Sequence, residues 1–302
     1  MIVFDQAQLA EWPAALELAY QRTPHAARQL QVVHALHLID TGVLDPTGIW
    51  VARHKGAIVG VQVCMPLEGS SFLFWLPETR GGSVDQDELV KAAIAWCRAQ
   101  GGKLAQAILP TADADRVVPL LRQGFRRVTQ LLYLDHSLNT LPAAPVSHLV
   151  FEPFTADNEG TFRQTLSRSY EGTLDCPELN GVRTIDEILA GYRSTSAGRP
   201  AGWWLLRSGG EPAGVLILTE MTEDGAWDLS YIGVVPEQRR RGIARVAVCH
   251  ALQTAHAAGA TQMLLAVDVR NDPARRLYAA LGFTQTEMRD VYLYLLAARE
   301  SG

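Results

Sequence analysis

The chain has 302 residues, 48% hydrophobic and 20% charged, with a formal net charge of −5. Its length favours two medium domains over one large one, and its composition is that of a globular protein able to bury a core. The acidic balance disfavours a nucleic-acid binder. Four cysteines without CxxC spacing argue against a disulfide framework or zinc site, and the lack of a basic leader or a membrane-length apolar run points to a cytoplasmic chain with no membrane span.

In chain order, IVFD at 2–5 opens a strand, and GIWVARHKGAIVG at 48–60 reads as strand, tight turn and strand. PETRGGSVDQD at 77–87 is a loop entering a helix. AIAWCRAQGGKLAQAIL at 93–109 is a helix ended by glycine and followed by an apolar strand, and LLRQGF at 120–125 leads into the last strands. His34 and His37 share a helical spacing but lack acidic or cysteine company, so no metal is expected. NTLPAAPVSH at 139–148 is a Pro- and Ala-rich linker.

The same series then recurs. LVFE at 149–152, GWWLLRSGGEPAG at 202–214, PEQRRRGIARV at 236–246, ALQTAHAAGATQMLLAV at 251–267 and YAALGF at 278–283 follow in the same order. Trp50 pairs with Trp204, Arg53 with Arg207, Gly60 with Gly214, Gly101 with Gly259, and Phe125 with Phe283. Ordered matches at a nearly constant offset mean two copies of one fold, expected as domains 1–138 and 147–302. In the second copy the predicted strands are 149–154, 203–208, 213–221, 226–235, 261–267, 283–289 and 291–298. Helices are predicted at 157–169, 184–193, 240–258 and 273–281. The fold class is α/β (α+β), each copy a mixed sheet covered by helices.

Arg239-x-x-Gly242-x-Ala244 stands between a strand ending near Val235 and a helix. Backbone N–H groups there, including that of Ile243, converge at a helix N-terminus where a pyrophosphate is favoured, and Arg239, Arg240 and Arg241 add attraction. The loop has neither P-loop nor dinucleotide-fold spacing. DLSYIGVVPEQRRRGIARVAV at 228–248 followed by VDVRNDPARRLYAALGF at 267–283 resembles the two signature motifs of the GNAT acyltransferase superfamily. The resemblance is strong over the second half and degenerate over the first, a tandem arrangement similar to that of mycothiol synthases.

The resemblance implies acetyl-coenzyme A as cosubstrate and Tyr278 as the donor of a proton or hydrogen bond to the departing thiolate. Asp272 reads as a helix cap before Pro273, with Asn271 either supporting the cap or meeting the pantetheine arm. Alternation places Asp228 on the strand face of Val234, as a base acting through water or as a strand-start aspartate in solvent. The N–H of Val234 or Val235 is the expected oxyanion donor. In YEGTLDCPELNG at 170–181, Tyr170, Asp175 and Glu178 either build a pocket for a cationic acceptor or form a plain turn.

The first copy puts Ser83 at the place of Gly242, Asp85 at that of Ala244, Leu120 at that of Tyr278 and Asp113 at that of Asn271. It is expected neither to hold pyrophosphate nor to protonate a thiolate. The expected function is therefore an acetyl-coenzyme A dependent N-acyltransferase in 147–302. It would move an acetyl group to the primary amine of a small molecule or peptide by direct transfer in a ternary complex. An acyl-coenzyme A sensing module and a structural partner-binding protein remain as alternatives.

Overall fold

A computed structural model describes residues 1–42, 44–81, 84–195, 202–221 and 225–296. The first series runs β1 (Ile2–Gln6), α1 (Trp12–Ala19), α2 (His25–Asp40), β2 (Ile49–His54), β3 (Ala57–Leu67), β4 (Ser71–Phe74), β5 (Glu78–Thr79), α3 (Gln86–Ala99), β6 (Leu104–Pro110), α4 (Val118–Arg122) and β7 (Arg126–Ser137). The second runs β8 (Val150–Pro153), α5 (Glu159–Ser169), α6 (Ile185–Thr195), β9 (Trp203–Ser208), β10 (Glu211–Glu220), β11 (Ala226–Val234), α7 (Ile243–Ala257), β12 (Gln262–Asp268), α8 (Asp272–Ala280) and β13 (Thr284–Leu295). Apart from the two-residue β5, the orders coincide, as the repeat requires.

Two compact units form, residues 1–128 with 290–302, and residues 129–289. They do not follow the repeat boundaries. Residues of β7 from Leu131 to Ser137 pair antiparallel with β12, inside the second unit. Tyr292 and Leu296 pack in the first unit's core with Phe72, Phe74 and Phe125. The two final strands expected at 283–289 and 291–298 are one strand. Asp290, which reads as a polar break, is 2% exposed and receives Arg127 Nε at 2.8 Å, so its charge is met and the strand continues.

In the second unit the sheet order is β7-β12-β11-β10-β9-β8, antiparallel except where β11 runs parallel to β12. Alternation sorts its side chains. Leu206, Leu216 and Leu218 face α7 and α8, whereas Leu205, Val215 and Ile217 face Phe162, Leu166 and Leu189 of α5 and α6. The matched glycines Gly60 and Gly214 lie in corresponding strands but meet different neighbours. A Cβ on Gly214 would sit 2.3 Å from the Gly233 carbonyl oxygen, while one on Gly60 would meet side-chain ends, Leu89 Cδ1 at 3.0 Å and Val84 Cγ1 at 3.1 Å. Gly214→Ala is therefore expected to lower unfolding free energy by about 1–3 kcal/mol and Gly60→Ala by less, because backbone cannot yield as a methyl can. Urea midpoints of the two variants test this; equal losses would contradict it.

Candidate active site of the second unit

β11 and β12 pair only from Ala226↔Gln262 to Asp228↔Leu264, although β11 runs on to Val234 and β12 to Asp268. A gap opens between them. The Val235 N–H donates to the Ala213 oxygen at 3.0 Å and is therefore taken. One residue earlier, by strand alternation, the Val234 N–H points away from β10, which narrows the two expected oxyanion donors to Val234.

After β11 the chain makes one turn of 3-10 helix at Pro236–Gln238, and α7 begins at Ile243. Gly242 takes φ +79° at the cap position, a conformation glycine adopts without strain, and no side chain caps the helix. Among the described residues no acceptor serves the backbone N–H groups from Arg240 to Arg245, so Ile243 and Ala244 present free donors. Arg240 and Arg241 are exposed and unpaired among the described residues. Free donors, a positive helix end and no Cβ at position 242 suit an anion of pyrophosphate size. Arg239 differs from its expected role. Its guanidinium donates to the carbonyls of Val234 (3.0 Å), Ser169 (3.1 Å) and Glu171 (2.6 Å), and so ties the loop after α5 to the end of β11.

Among the described residues the first unit shows no such uncapped helix start. The Asp85 carboxylate caps α3, accepting from the Asp87 N–H at 2.9 Å. Glu78, 3% exposed, accepts from Gln21 at 2.6 Å and Arg22 at 3.1 Å and also pairs with Arg116. Leu120, at the place of Tyr278, is fully buried, and Asp113 accepts from Arg116. Ser83 lies outside the described residues.

Tyr278 is 5% exposed on α8, packed with Leu281 and Phe283. Burial, with a smaller contribution from the Asp175 charge, holds its phenol well above the usual value, so it stays protonated and able to donate. Asn271, not Asp272, is the cap of α8, its side chain accepting from the Ala274 N–H at 3.3 Å; Asp272 falls in the first turn and pairs with Arg275.

Asp228 is not on the face of Val234. Between Ile217↔Tyr231 and Thr219↔Asp228, β11 has two residues, Leu229 and Ser230, where β10 has only Leu218. This bulge reverses the alternation. Ile232 and Val234 pack towards α7, while Asp228, Ser230 and Tyr231 turn towards α5 and α6. Ser230 Oγ donates to Asp228 Oδ2 at 2.7 Å and shares a 2.8 Å hydrogen bond with Thr219. Burial raises the Asp228 pKa, partly offset by Ser230.

On that same side lies a cavity of about 480 Å³, lined by Tyr170, Arg183, Tyr192, Ser230 and Tyr231 among others. Tyr231 hydrogen-bonds Ser169 at 2.9 Å, and the Tyr170 and Tyr192 hydroxyls lie 3.4 Å apart. Of the residues expected here, Tyr170 and Asp175 line the cavity, but Glu178 is held by Arg270 Nη1 and Nη2 at 2.6 and 2.9 Å. Asp175 keeps solvent access yet accepts the Asp268 N–H at 2.9 Å, and burial raises its pKa. Tyr192, Tyr231, Ser230 and Arg183 were not singled out by motif, since they come from three separate elements.

Asp268 is fully buried and accepts from Thr129 at 2.6 Å, the Cys176 N–H at 3.0 Å and Arg270 Nη2 at 2.7 Å. Burial opposes its ionisation, but these donors outweigh it and hold the carboxyl down to about 2. Asp175, Cys176 and Asp268 bring ligand atoms within 4.8 Å of one another. Through the Cys176 N–H on Asp268 and the Asp268 N–H on Asp175, the cluster pins the loop after α5 to β12, and burial pushes the Cys176 thiol up to about 12.

Residues 167–283 match the profile of the acetyltransferase (GNAT) family. A GCN5-related N-acetyltransferase from Sphaerobacter thermophilus is 16% identical with a TM-score of 0.66, covering 98% of this chain and 96% of its own. A tandem GNAT protein from the clavulanic acid biosynthesis pathway is 16% identical with a TM-score of 0.55, covering 99% and 100%. A glucosamine N-acetyltransferase region of a fungal β-N-acetylglucosaminidase is 14% identical with a TM-score of 0.66, covering 97% of this chain and 38% of that one. Comparison with proteins of curated function finds no match. The match to the GNAT family profile lies within the second half, and over its length the chain shares the fold of these GNAT structures, a tandem one among them. No helix among the described residues is long and apolar enough to cross a membrane.

Proposed function

We propose that residues 147–302 form an acetyl-coenzyme A dependent N-acyltransferase that acetylates a primary amine by direct transfer in a ternary complex. The observation that supports the reading is the uncapped start of α7, with free N–H donors from Arg240 to Arg245 beside unpaired arginines, whereas α3 of the first copy is capped by Asp85, all among the described residues. Coenzyme A would supply the acyl group as an activated thioester. The turn from Arg240 to Ala244 would hold its pyrophosphate, and the Val234 N–H would donate to the reacting carbonyl oxygen. Tyr278 would hold the proton for the departing sulfur. Asp228, through water and steadied by Ser230, would take the proton of the attacking amine. A thiol-release screen of amines, amino acids, aminoglycosides and peptides tests the reading. Coenzyme A binding without turnover of any of them would favour a sensing role instead.

Asp228→Asn gives a further test. A relay through water leaves solvent as a weaker substitute, so kcat/KM at neutral pH is expected to fall by about tenfold. Because burial raises its pKa, Asp228 stays protonated to a higher pH than a free carboxyl, and wild-type activity should fade on the acid side above the ordinary carboxylate range. The asparagine variant should lose that limb. An unchanged pH profile would move the base elsewhere.

A further inference from the structure

Arginines in the second unit fall into two groups. Arg163, Arg168, Arg193, Arg207, Arg270, Arg275 and Arg289 each pair with a carboxylate, and Arg239 with carbonyls. Among the described residues the unpaired ones are Arg240, Arg241 and Arg245 around the start of α7, the exposed Arg276 of α8, and Arg183. Arg183 alone of these lines the cavity. Its charge lies near the Tyr170 and Tyr192 hydroxyls, where it opposes the upward shift that burial imposes on both. The carboxylate expected to bind a cation, Glu178, is neutralised by Arg270, and Asp175 is engaged by the β12 backbone. Glu171 lines the cavity but is exposed.

We propose that the acceptor is an amino acid or similar small amine bearing a carboxylate, which pairs with Arg183 while an aromatic or apolar body lies against Tyr170, Tyr192 and Tyr231. The inference rests on the acyl-transfer reading for the fate of the amine. That amine would sit at the Ser230 side of the cavity, where Ser230 contacts Asp228. A planar guanidinium without a protein partner is matched by a bidentate carboxylate, and tyrosine rings supply flat contact area. The volume of about 480 Å³ suits a ligand of this size.

Calorimetric titration with 3-phenylpropionate and its neutral counterpart 3-phenylpropanol tests the pairing without turnover. Wild type should bind the carboxylate roughly 10- to 100-fold more tightly, and Arg183→Gln should remove the difference. In thiol release, L-phenylalanine should surpass 2-phenylethylamine. Equal binding of the two probes, binding of neither, or a preference for 2-phenylethylamine in thiol release would overturn the proposal. Coenzyme A titrated in parallel separates the two readings. A carboxylate preference without coenzyme A binding would leave the Arg183 site standing and remove the acyl-transfer reading, whereas coenzyme A binding without the preference would do the reverse. Coenzyme A binding by Arg183→Gln also shows that the variant is folded.

Discussion

Replacing Gly242 by aspartate is expected to abolish coenzyme A binding, with affinity falling on the order of 100-fold or more. Nothing lies within 4 Å of a Cβ built at this position, so the cost to the fold is the strain of holding aspartate at φ +79°, about 1–2 kcal/mol. What the substitution fills is the anion's own space. The cap residue sits at φ +79° among N–H groups without acceptors, and an aspartate there would bond those donors itself, as Asp85 does for α3 in the first copy. Its negative charge would also repel pyrophosphate. Wild type should titrate with one coenzyme A per chain, and Ser83→Asp should leave that site untouched. Two sites in wild type would mean that the first copy also binds, and loss of binding on changing Ser83 but not Gly242 would place the active copy in the first half.

Tyr278→Phe is expected to lower kcat by roughly 10- to 1000-fold while coenzyme A affinity stays nearly unchanged, because the phenol acts mainly in the transition state. The phenol makes no hydrogen bond among the described residues, and its ring packs with Phe283 at 5.5 Å, a contact phenylalanine keeps. Stability should therefore change little. Because burial raises the phenol's pKa, wild-type turnover should show no loss of this acid up to pH values of about 10, the ordinary phenol range. Turnover equal to wild type with a true acceptor would remove Tyr278 from the mechanism.

Most elements of the second copy were legible within a few residues because helix and strand periods and glycine stops are local. The 3.6-residue pattern of α7 and the apolar run of β12 needed no distant partner to be read. The break expected near Asp290 was misleading, since only Arg127 from a distant strand makes that carboxylate tolerable inside a sheet. The uncapped turn before α7 was legible too, being backbone in a short contiguous stretch. The cavity beside α5 and α6 was not, because Tyr170, Tyr192 and Tyr231 belong to different elements and no spacing links them.

Sequence alone carried the repeated element order, the replacement of Gly242 and Tyr278 by Ser83 and Leu120 in the first copy and the candidacy of Gly242 and Tyr278, because each depends on a residue and its near neighbours. The face on which Asp228 stands, the engagement of Arg239 and the neutralisation of Glu178 were settled by the folded chain. A bulge exists only as a count between two strands, and ion pairs such as Glu178–Arg270 join residues far apart in the chain. Which charges remain unpaired, and so which ligand the cavity suits, is decided after every other charge has found its partner.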